Sequence, residues 1–321
     1  MRAVWMTEFG GPEVLQVSDS AVPVPGPDEV LIEVEAAGVT YGDVMKRQGA
    51  FGTFDLPAGV GQEIAGMVRS SGPGGPAVGS RVAAMVEHGY AELAVAQSDS
   101  VVTLPNTVDS REAATLWIHG VTAYQTLRQA GRVRSGDTVL VHAAAGGVGT
   151  LAIQLARLLG AAVVIGTAGT PRKLDHIRAH GADFAVDYSE AGWAKTVLEL
   201  TDGRGVDLVL DSVGGQISLD TMDVMASFGR IVTFGAASGT ASTYPGMALM
   251  AQNLSVSGYS LMGWRSRPDT ISQALEQLIA FVADDRLRPS VTEYCLDDVV
   301  EAHRALVNRQ TMGSIVLVPA R

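Results

Sequence analysis

The chain has 321 residues, 47% of them apolar and 18% charged, with a net charge of −11 from 23 basic and 34 acidic side chains. That is enough apolar material for two packed domains and too little polarity for a disordered chain. Binding to nucleic acid or to anionic membranes needs clustered Lys and Arg, and no basic stripe is present, so neither is expected as a partner.

The N-terminus, Met1-Arg2-Ala3-Val4-Trp5, reaches Glu8 without a long apolar run, so no signal peptide is expected. Residues 1 to about 115 read as mostly β. Short apolar runs fall at Val30–Glu35, Ile64–Arg69, Ser80–Val86 and Tyr90–Ala96, with Gly/Pro turns between them. One helix is expected around Asp43–Arg47. Further helices are expected from Ser110 and over Ile118–Gln129.

From Asp137 strands and helices alternate. Strands are expected at Val139–Val141, Ala162–Ile165, Phe184–Val186, Val206–Leu210 and Ile231–Phe234. Helices are expected at Val148–Leu159, Arg172–Ala179, Ala191–Leu200 and Ile217–Met225. A run of βα units predicts a doubly wound parallel sheet. Residues 138–156 carry no formal charge, but three glycines make them a strand, turn and helix start rather than a membrane span. Ile231–Trp264 has no charged residue at all. Either it is sheet core, or it supplies a subunit interface and an apolar pocket wall.

The amphipathic helix Thr270–Ala283 places Ile271, Leu275, Leu278, Ile279 and Val282 on one face. A helix at Val299–Val307 and a closing strand at Ser314–Val318 follow. These segments are expected to return to the N-terminal β-rich domain. The only cysteine, Cys295, cannot form an internal disulfide, which fits a reducing cytosol. It reads as a small apolar strand residue rather than a reactive thiol.

Ala143-Ala144-Ala145-Gly146-Gly147-Val148-Gly149 joins a predicted strand to a predicted helix, a variant of G-x-G-x-x-G. Small side chains let pyrophosphate reach the amides at the helix start, where the helix dipole favours negative charge. Gly149 lets helix and strand pack closely. A sugar-binding acid is expected about 20 residues on in NAD-preferring turns. Here no Asp or Glu occurs between Asp137 and Asp175, and Thr167, Gly169, Arg172 and Lys173 offer space and positive charge for a 2′-phosphate. The pattern predicts NADPH.

Gly38-Val39-Thr40-Tyr41-Gly42-Asp43, Gly61-Gln62-Glu63-Ile64-Ala65-Gly66, Val121-Thr122-Ala123-Tyr124, the turn at 143–149, Asp211-Ser212-Val213-Gly214-Gly215 and Arg309-Gln310-Thr311-Met312-Gly313 form a further series. Together they resemble the zinc-independent quinone oxidoreductase, or zeta-crystallin-like, branch of the medium-chain dehydrogenase/reductase superfamily, over essentially the whole chain. The resemblance implies an α/β fold in which a Rossmann doubly wound parallel sheet is inserted in a discontinuous, β-rich GroES-like catalytic domain. The domains would be 1–117 with 259–321, and 118–258, with the cofactor in the cleft and homodimers usual.

By motif match Ala145, Gly146, Gly147 and Val148 would cradle the pyrophosphate. Thr167, Gly169, Lys173 and Tyr188 would hold the adenosine side. Thr40, Thr122, Ser212, Phe234 and Gly235 would line the nicotinamide side, and Arg309 would close over the cofactor. Tyr41, Phe51 and Tyr259 would line the substrate pocket.

Zinc-dependent relatives use Cys and a His-Glu pair where this chain has Tyr41 and Gln62, and one cysteine cannot supply the missing thiolates. No metal is expected. Of the remaining histidines, His176 and His180 lie four apart on a helix and read as a solvated face. His119, just before Gly120, either packs or caps there or faces the cleft.

Two departures matter. Thr40 stands where the branch usually has Asn. Phe51 stands where enoyl-thioester reductases carry a proton-donating Tyr, which demotes that reaction. The expected chemistry is hydride transfer to a quinone or an α,β-unsaturated carbonyl, with no catalytic acid assigned. The alternative is a non-catalytic NADPH-binding sensor or structural protein on the same scaffold.

Overall fold

The computed structural model describes residues 1–52 and 54–320. Packing divides the chain into two compact units: Met1–Gly120 with Leu275–Arg321, and Val121–Ala274. The first boundary falls three residues after the expected 117/118, and the second falls sixteen residues after the expected 258/259. The second falls inside a long helix.

In chain order the first unit opens with strands β1 (Arg2–Met6), β2 (Leu15–Asp19), β3 (Glu29–Val39), β4 (Ala58–Gly59), β5 (Glu63–Ser71), β6 (Arg81–Met85), β7 (Leu93–Gln97) and β8 (Val101–Thr103). Helix α1 (Tyr41–Arg47) interrupts them and α2 (Ser110–Ala113) follows. In β3 the buried residues Val30, Ile32 and Val34 alternate with half-exposed neighbours, then burial becomes continuous from Ala36 to Val39. The alternation marks one wet face, and the continuous run marks a segment covered on both. Two register shifts along β3 let it pair with β5 throughout and with β7 at its start.

A helical run, Leu116–Gly120, then α3 (Val121–Gln125), then Thr126–Ala130, crosses into the second unit with wide, π-type turns at both ends. The second unit carries strands β9 (Thr138–Val141), β10 (Val163–Ala168), β11 (Phe184–Asp187), β12 (Val206–Asp211), β13 (Met225–Thr233) and β14 (Ser255–Gly258). Its helices are α4 (Gly147–Leu158), α5 (Pro171–Ala179), α6 (Trp193–Leu200), α7 (Gly215–Thr221), α8 (Gly246–Gln252) and α9 (Leu261–Trp264). All strand pairs are parallel, in the order β11-β10-β9-β12-β13-β14. Counted from β9 this is 3-2-1-4-5-6, the doubly wound order whose switch point lies between β9 and β12. The sheet is buried on both faces, with Leu140, Ile165, Val209 and Ile231 at 0% exposure.

The long helix α10 (Pro268–Ala283) buries Ile271, Leu275, Leu278, Ile279 and Val282, the face its periodicity predicts. Strand β15 (Val291–Cys295), helix α11 (Val299–Val307) and strand β16 (Ser314–Val318) close the chain. β16 pairs antiparallel with β3, matching Ile315 to Val39 and Leu317 to Ala37, so the C-terminus does return to the first unit.

Some expectations shift. The helix expected at Ile217–Met225 is an α-helix to Thr221 and a 3-10 turn over Met222–Val224, and it ends there because Met225 already pairs with Val206 as the first residue of β13. β1, β2, β8 and β15 carry too little alternation to be read from sequence. Cys295 ends β15 exposed, not packed. In the uncharged stretch, Ile231 and Val232 are core, but Met247, Met250 and Met262 are exposed and α8 buries no residue.

Candidate functional site

The glycine-rich turn sits at the switch point of the parallel sheet. Ala143 adopts φ +49, a left-handed conformation that costs an alanine about 1 kcal/mol. The strain turns the chain sharply at the end of β9, and the Ala144 N–H donates to the Thr167 carbonyl (2.9 Å). Gly146 is the N-cap of α4, and no side chain caps the helix. Amides of its first turn are therefore left for an anion. A Cβ on Gly149 would lie 2.5 Å from the Ala143 oxygen and 2.6 Å from the Ala144 Cα, so helix and turn meet backbone to backbone.

On the adenosine side, Gly169 faces the Tyr188 ring, 3.5 Å from where its Cβ would be. Lys173 lies in the first turn of α5, whose N-cap, Thr170, makes no side-chain bond. Gly169 and Tyr188 are thus brought together. Thr167 does not join them by its side chain. It is fully buried, and its hydroxyl meets His142 Nδ1 at 2.9 Å. His142 Nε2 in turn meets the Thr221 hydroxyl at 2.8 Å. Burial pushes His142 down to about 4, so it is a neutral bridge under the sheet end.

His176 and His180 are half-exposed on α5, and each also has a partner. The His176 Nε2 contacts the Thr150 hydroxyl (3.0 Å), and the His180 Nδ1 contacts the His176 carbonyl (2.7 Å). Among the described residues no group of three His, Cys, Asp or Glu is placed to hold a metal ion.

Of the residues expected on the nicotinamide side, Ser212, Phe234 and Gly235 are organised by Asp211, which opens a motif named above but was given no role there. Its carboxylate accepts from the Val213 and Gly214 amides (2.8 and 3.1 Å), Ser218, Ser242 (3.1 Å) and Tyr244 (2.9 Å). Burial opposes its charge. His142 nearby and the donors around it outweigh burial and hold its carboxyl below the usual range. Above pH 4 His142 is neutral, so at neutral pH the donors carry the effect. The loop thus held brings Ser212 against Gly235, where a Cβ would sit 2.9 Å from the Ser212 oxygen, and Phe234 donates its amide to the Asp211 carbonyl.

Thr122 and Tyr259 are buried together. The Tyr259 hydroxyl donates to Gln125 Oε1 (2.9 Å), which leaves its ring, not its proton, as the group a substrate could meet.

In the first unit, Thr40 caps α1 in a reciprocal box with Asp43. The Thr40 amide and hydroxyl donate to Asp43 Oδ2 (both 2.8 Å), and the Asp43 amide donates back (3.2 Å). Tyr90 adds a bond to the same oxygen (3.1 Å), and Gln62 a long one to Oδ1 (3.4 Å). Burial still pushes the Asp43 carboxyl up, with the Thr40, Tyr90 and Gln62 donors pulling against it. The Thr40 hydroxyl proton is therefore spent inside the fold. Tyr41 and Phe51 are exposed, and Arg309 is exposed after α11 at φ +57.

Glu63 is completely buried. Its Oε2 accepts the Ile118 amide (2.6 Å), and its Oε1 lies 2.8 Å from His119 Nδ1. The latter is an ion-pair contact, not an aligned hydrogen bond. Burial alone would lower His119. The adjacent Glu63 charge and contact, with Asp43 behind them, reverse this and raise it.

A 3-2-1-4-5-6 parallel sheet with an uncapped helix at its switch point, in one chain with a β-rich unit, defines a dinucleotide-binding enzyme of the two-domain dehydrogenase type. Residues 26–106 match the family model "Alcohol dehydrogenase GroES-like domain", and 147–281 match "Zinc-binding dehydrogenase". A quinone oxidoreductase of Pseudomonas aeruginosa is 36% identical across 99% of both chains, and the human quinone oxidoreductase is 32% identical across 99% of this chain and 98% of its own. The solved structure of Escherichia coli quinone oxidoreductase complexed with NADPH superposes at TM-score 0.91, with 31% identity over 99% of this chain and 100% of that one. A mycobacterial structure, also complexed with NADPH, gives TM-score 0.92 and 36% identity over the same shares. The chain belongs to the quinone oxidoreductase family of the medium-chain dehydrogenase/reductase superfamily.

Proposed function

We propose that this protein transfers hydride from NADPH to a quinone or an α,β-unsaturated carbonyl, without a metal ion. The observation that carries the reading is the uncapped start of α4, approached without side chains at Gly146 and Gly149. Relatives that share this architecture across their whole length include quinone oxidoreductases, and two solved neighbours, one of them the Escherichia coli quinone oxidoreductase, are complexed with NADPH.

NADPH, when bound, supplies a hydride from its nicotinamide ring. Ala145, Gly146, Gly147 and Val148 would offer backbone to the pyrophosphate, and Lys173, Gly169 and Tyr188 would hold the 2′-phosphate side. Thr167 would contribute only its backbone. Ser212, Phe234, Gly235 and Thr122 would position the ring, with Arg309 covering the cofactor. Conjugated acceptors delocalise the charge that hydride creates, so orientation supplies the main catalytic term.

The two zinc-ligand positions hold Tyr41 and Gln62, and Gln62 is directed at Asp43. Neither offers the thiolate or imidazole that zinc prefers. A homodimer is part of the reading. β14 ends the parallel sheet, and the exposed Met247, Met250 and Met262 lie close to it in sequence, within an uncharged stretch. Among the described residues no helix is long and apolar enough to cross a membrane, and a single cysteine fits a reducing cytosol.

The test is NADPH oxidation with 9,10-phenanthrenequinone, 1,4-benzoquinone and a small enone, with NADH in parallel and metal analysis of the purified protein. Tight NADPH binding with no turnover on any acceptor favours the non-catalytic alternative. Sedimentation at micromolar concentration tests the dimer.

A further inference from the structure

Two histidines take no part in the reductase reading. His176 and His180 stand half-exposed at the end of α5, with ring centroids 4.0 Å apart and planes tilted by 34°. Side chains four residues apart share a helix face, so the spacing itself brings the rings together. The other four histidines are placed differently. His119, His142 and His303 are buried, and His88 packs edge-on against Trp5.

Each ring of the pair has one nitrogen held by the protein and one left over. His180 Nδ1 lies 2.7 Å from the His176 carbonyl oxygen. A carbonyl only accepts, so Nδ1 carries the proton and the lone pair of the neutral ring is on Nε2. His176 Nε2 lies 3.0 Å from the Thr150 hydroxyl of α4. That hydroxyl can accept from Nε2–H, which puts the lone pair on Nδ1. Among the described residues neither His176 Nδ1 nor His180 Nε2 has a hydrogen-bond partner. Histidines that ligate metals are built in this way, one nitrogen for the ion and the other anchored to fix tautomer and orientation.

The electrostatics agree. Burial, and then His180 beside it, push His176 down to about 4, so the ring is neutral at neutral pH, as a ligand must be. Arg178 on the same helix is paired with Asp175 (3.0 Å). His180 caps the C-terminal end of α5, where the helix dipole is negative and favours a cation. An ion bonded to two imidazole nitrogens at about 2 Å each holds them within about 4 Å of one another, and the rings already stand at that separation.

We propose that His176 Nδ1 and His180 Nε2 form a two-imidazole site for a divalent transition metal ion, with Thr150 as the residue that positions His176. Water completes the coordination, because among the described residues no third His, Cys, Asp or Glu is placed to join them. Imidazole suits Zn²⁺, Ni²⁺ and Cu²⁺ rather than Mg²⁺ or Ca²⁺, and Cu²⁺ binds most tightly of these. The ion ties the end of α5, through Thr150, to α4, whose N-cap Gly146 accepts the Thr150 amide (2.8 Å). The unfolded chain does not hold the two rings together, so binding stabilises the fold. The site uses none of the residues assigned to NADPH or the acceptor.

The test uses the full chain stripped with EDTA, in a Cys295→Ser background that removes the exposed thiol. Calorimetry with Zn²⁺ and with Cu²⁺ should find one ion per chain, held more tightly when it is Cu²⁺, and Tm should rise with either. His176→Gln and His180→Gln should each weaken binding at least about tenfold and remove the rise in Tm, and Thr150→Val should weaken it about tenfold. By NMR, Zn²⁺ should move the ring signals of His176 and His180. Unweakened binding in either histidine variant overturns the site. Binding that Thr150→Val leaves unchanged marks an adventitious ion only, and overturns a built site. Turnover is not the readout, so this proposal and the reductase reading fail separately.

Discussion

Gly146 and Gly149 separate two reasons for a glycine, and alanine at each should fail differently. At Gly149 a Cβ would lie 2.5 Å from a carbonyl oxygen and 2.6 Å from a Cα. Both are backbone atoms of the strained turn and cannot swing aside. Helix α4 would have to retreat by roughly 1 Å to reach ordinary contact, and overpacking of this kind costs about 1–3 kcal/mol. Gly149→Ala should therefore lower Tm and weaken NADPH binding together.

Gly146 has φ −80 and ψ 177, open to any residue, and a Cβ there meets only the Ala143 oxygen at 3.4 Å. Alanine is a poorer N-cap than glycine by about 0.5 kcal/mol. It also restricts the unfolded chain, which offsets a similar amount. Gly146→Ala should thus leave the Tm of the free protein within about 2 °C. Its methyl would stand where pyrophosphate approaches, so the NADPH Kd should rise at least about tenfold, or about 1.4 kcal/mol. Differential scanning fluorimetry without and with NADPH, followed by calorimetry, reads both quantities. A Gly146→Ala protein of unchanged Tm and unchanged NADPH affinity would refute the placement of the cofactor against this helix.

Lys173→Ala should reduce the preference for NADPH over NADH about tenfold in kcat/KM, because the 2′-phosphate loses a charge-assisted partner; an unaltered ratio removes Lys173 from that role. Arg230 and Asp137 form a mostly buried ion pair at 2.6 Å, with the guanidinium also capping the Gly131 and Arg132 carbonyls. Arg230→Met should cost about 3 kcal/mol in urea unfolding, since it strands a buried carboxylate, and Asp137→Asn in the same chain should recover part of it. For His142, a folded value of about 4 against an unfolded value near 6.5 means that the unfolded chain binds the proton first. Stability is therefore whole above about pH 6.5 and lost as pH falls toward 4, by about 2 kcal/mol at pH 5. His142→Gln should flatten that part of the curve; an equally steep loss in the variant places its origin in other groups.

The parallel sheet was legible in sequence because each βα unit announces itself twice, by an apolar strand and by the helix that must cover it. The turn at 143–149 was legible for a related reason. Backbone-to-backbone contact demands small residues at fixed spacing, and spacing survives in a linear text. The β-rich unit was only partly legible. β1 buries the adjacent Ala3 and Val4 and so does not alternate, and β15, largely exposed, becomes a strand only because β16 lies beside it, pairing Val291 with Ser314. Tertiary polar partners were least legible. His142 binds hydroxyls 25 and 79 residues away, and Asp211 gathers Ser242 and Tyr244 from a loop with no motif. No local pattern encodes such pairs, so Thr167 was assigned to the cofactor when its hydroxyl is bound to His142.

The first unit poses a sharper physical problem: two carboxyl groups, Asp43 and Glu63, are fully buried, and both act on Tyr90 and His119. Burying one unpaired carboxylate costs several kcal/mol, and burying a second nearby adds repulsion. The fold treats the two differently. Asp43 receives neutral donors from Thr40, Tyr90 and Gln62, and its carboxyl still rises. Glu63 has one amide donor and a histidine. The carboxylate beside it raises the His119 ring against its own burial, so a proton on that ring compensates the charge that Glu63 brings into the site. The histidine's hold on its proton is thus set by the burial of its partner.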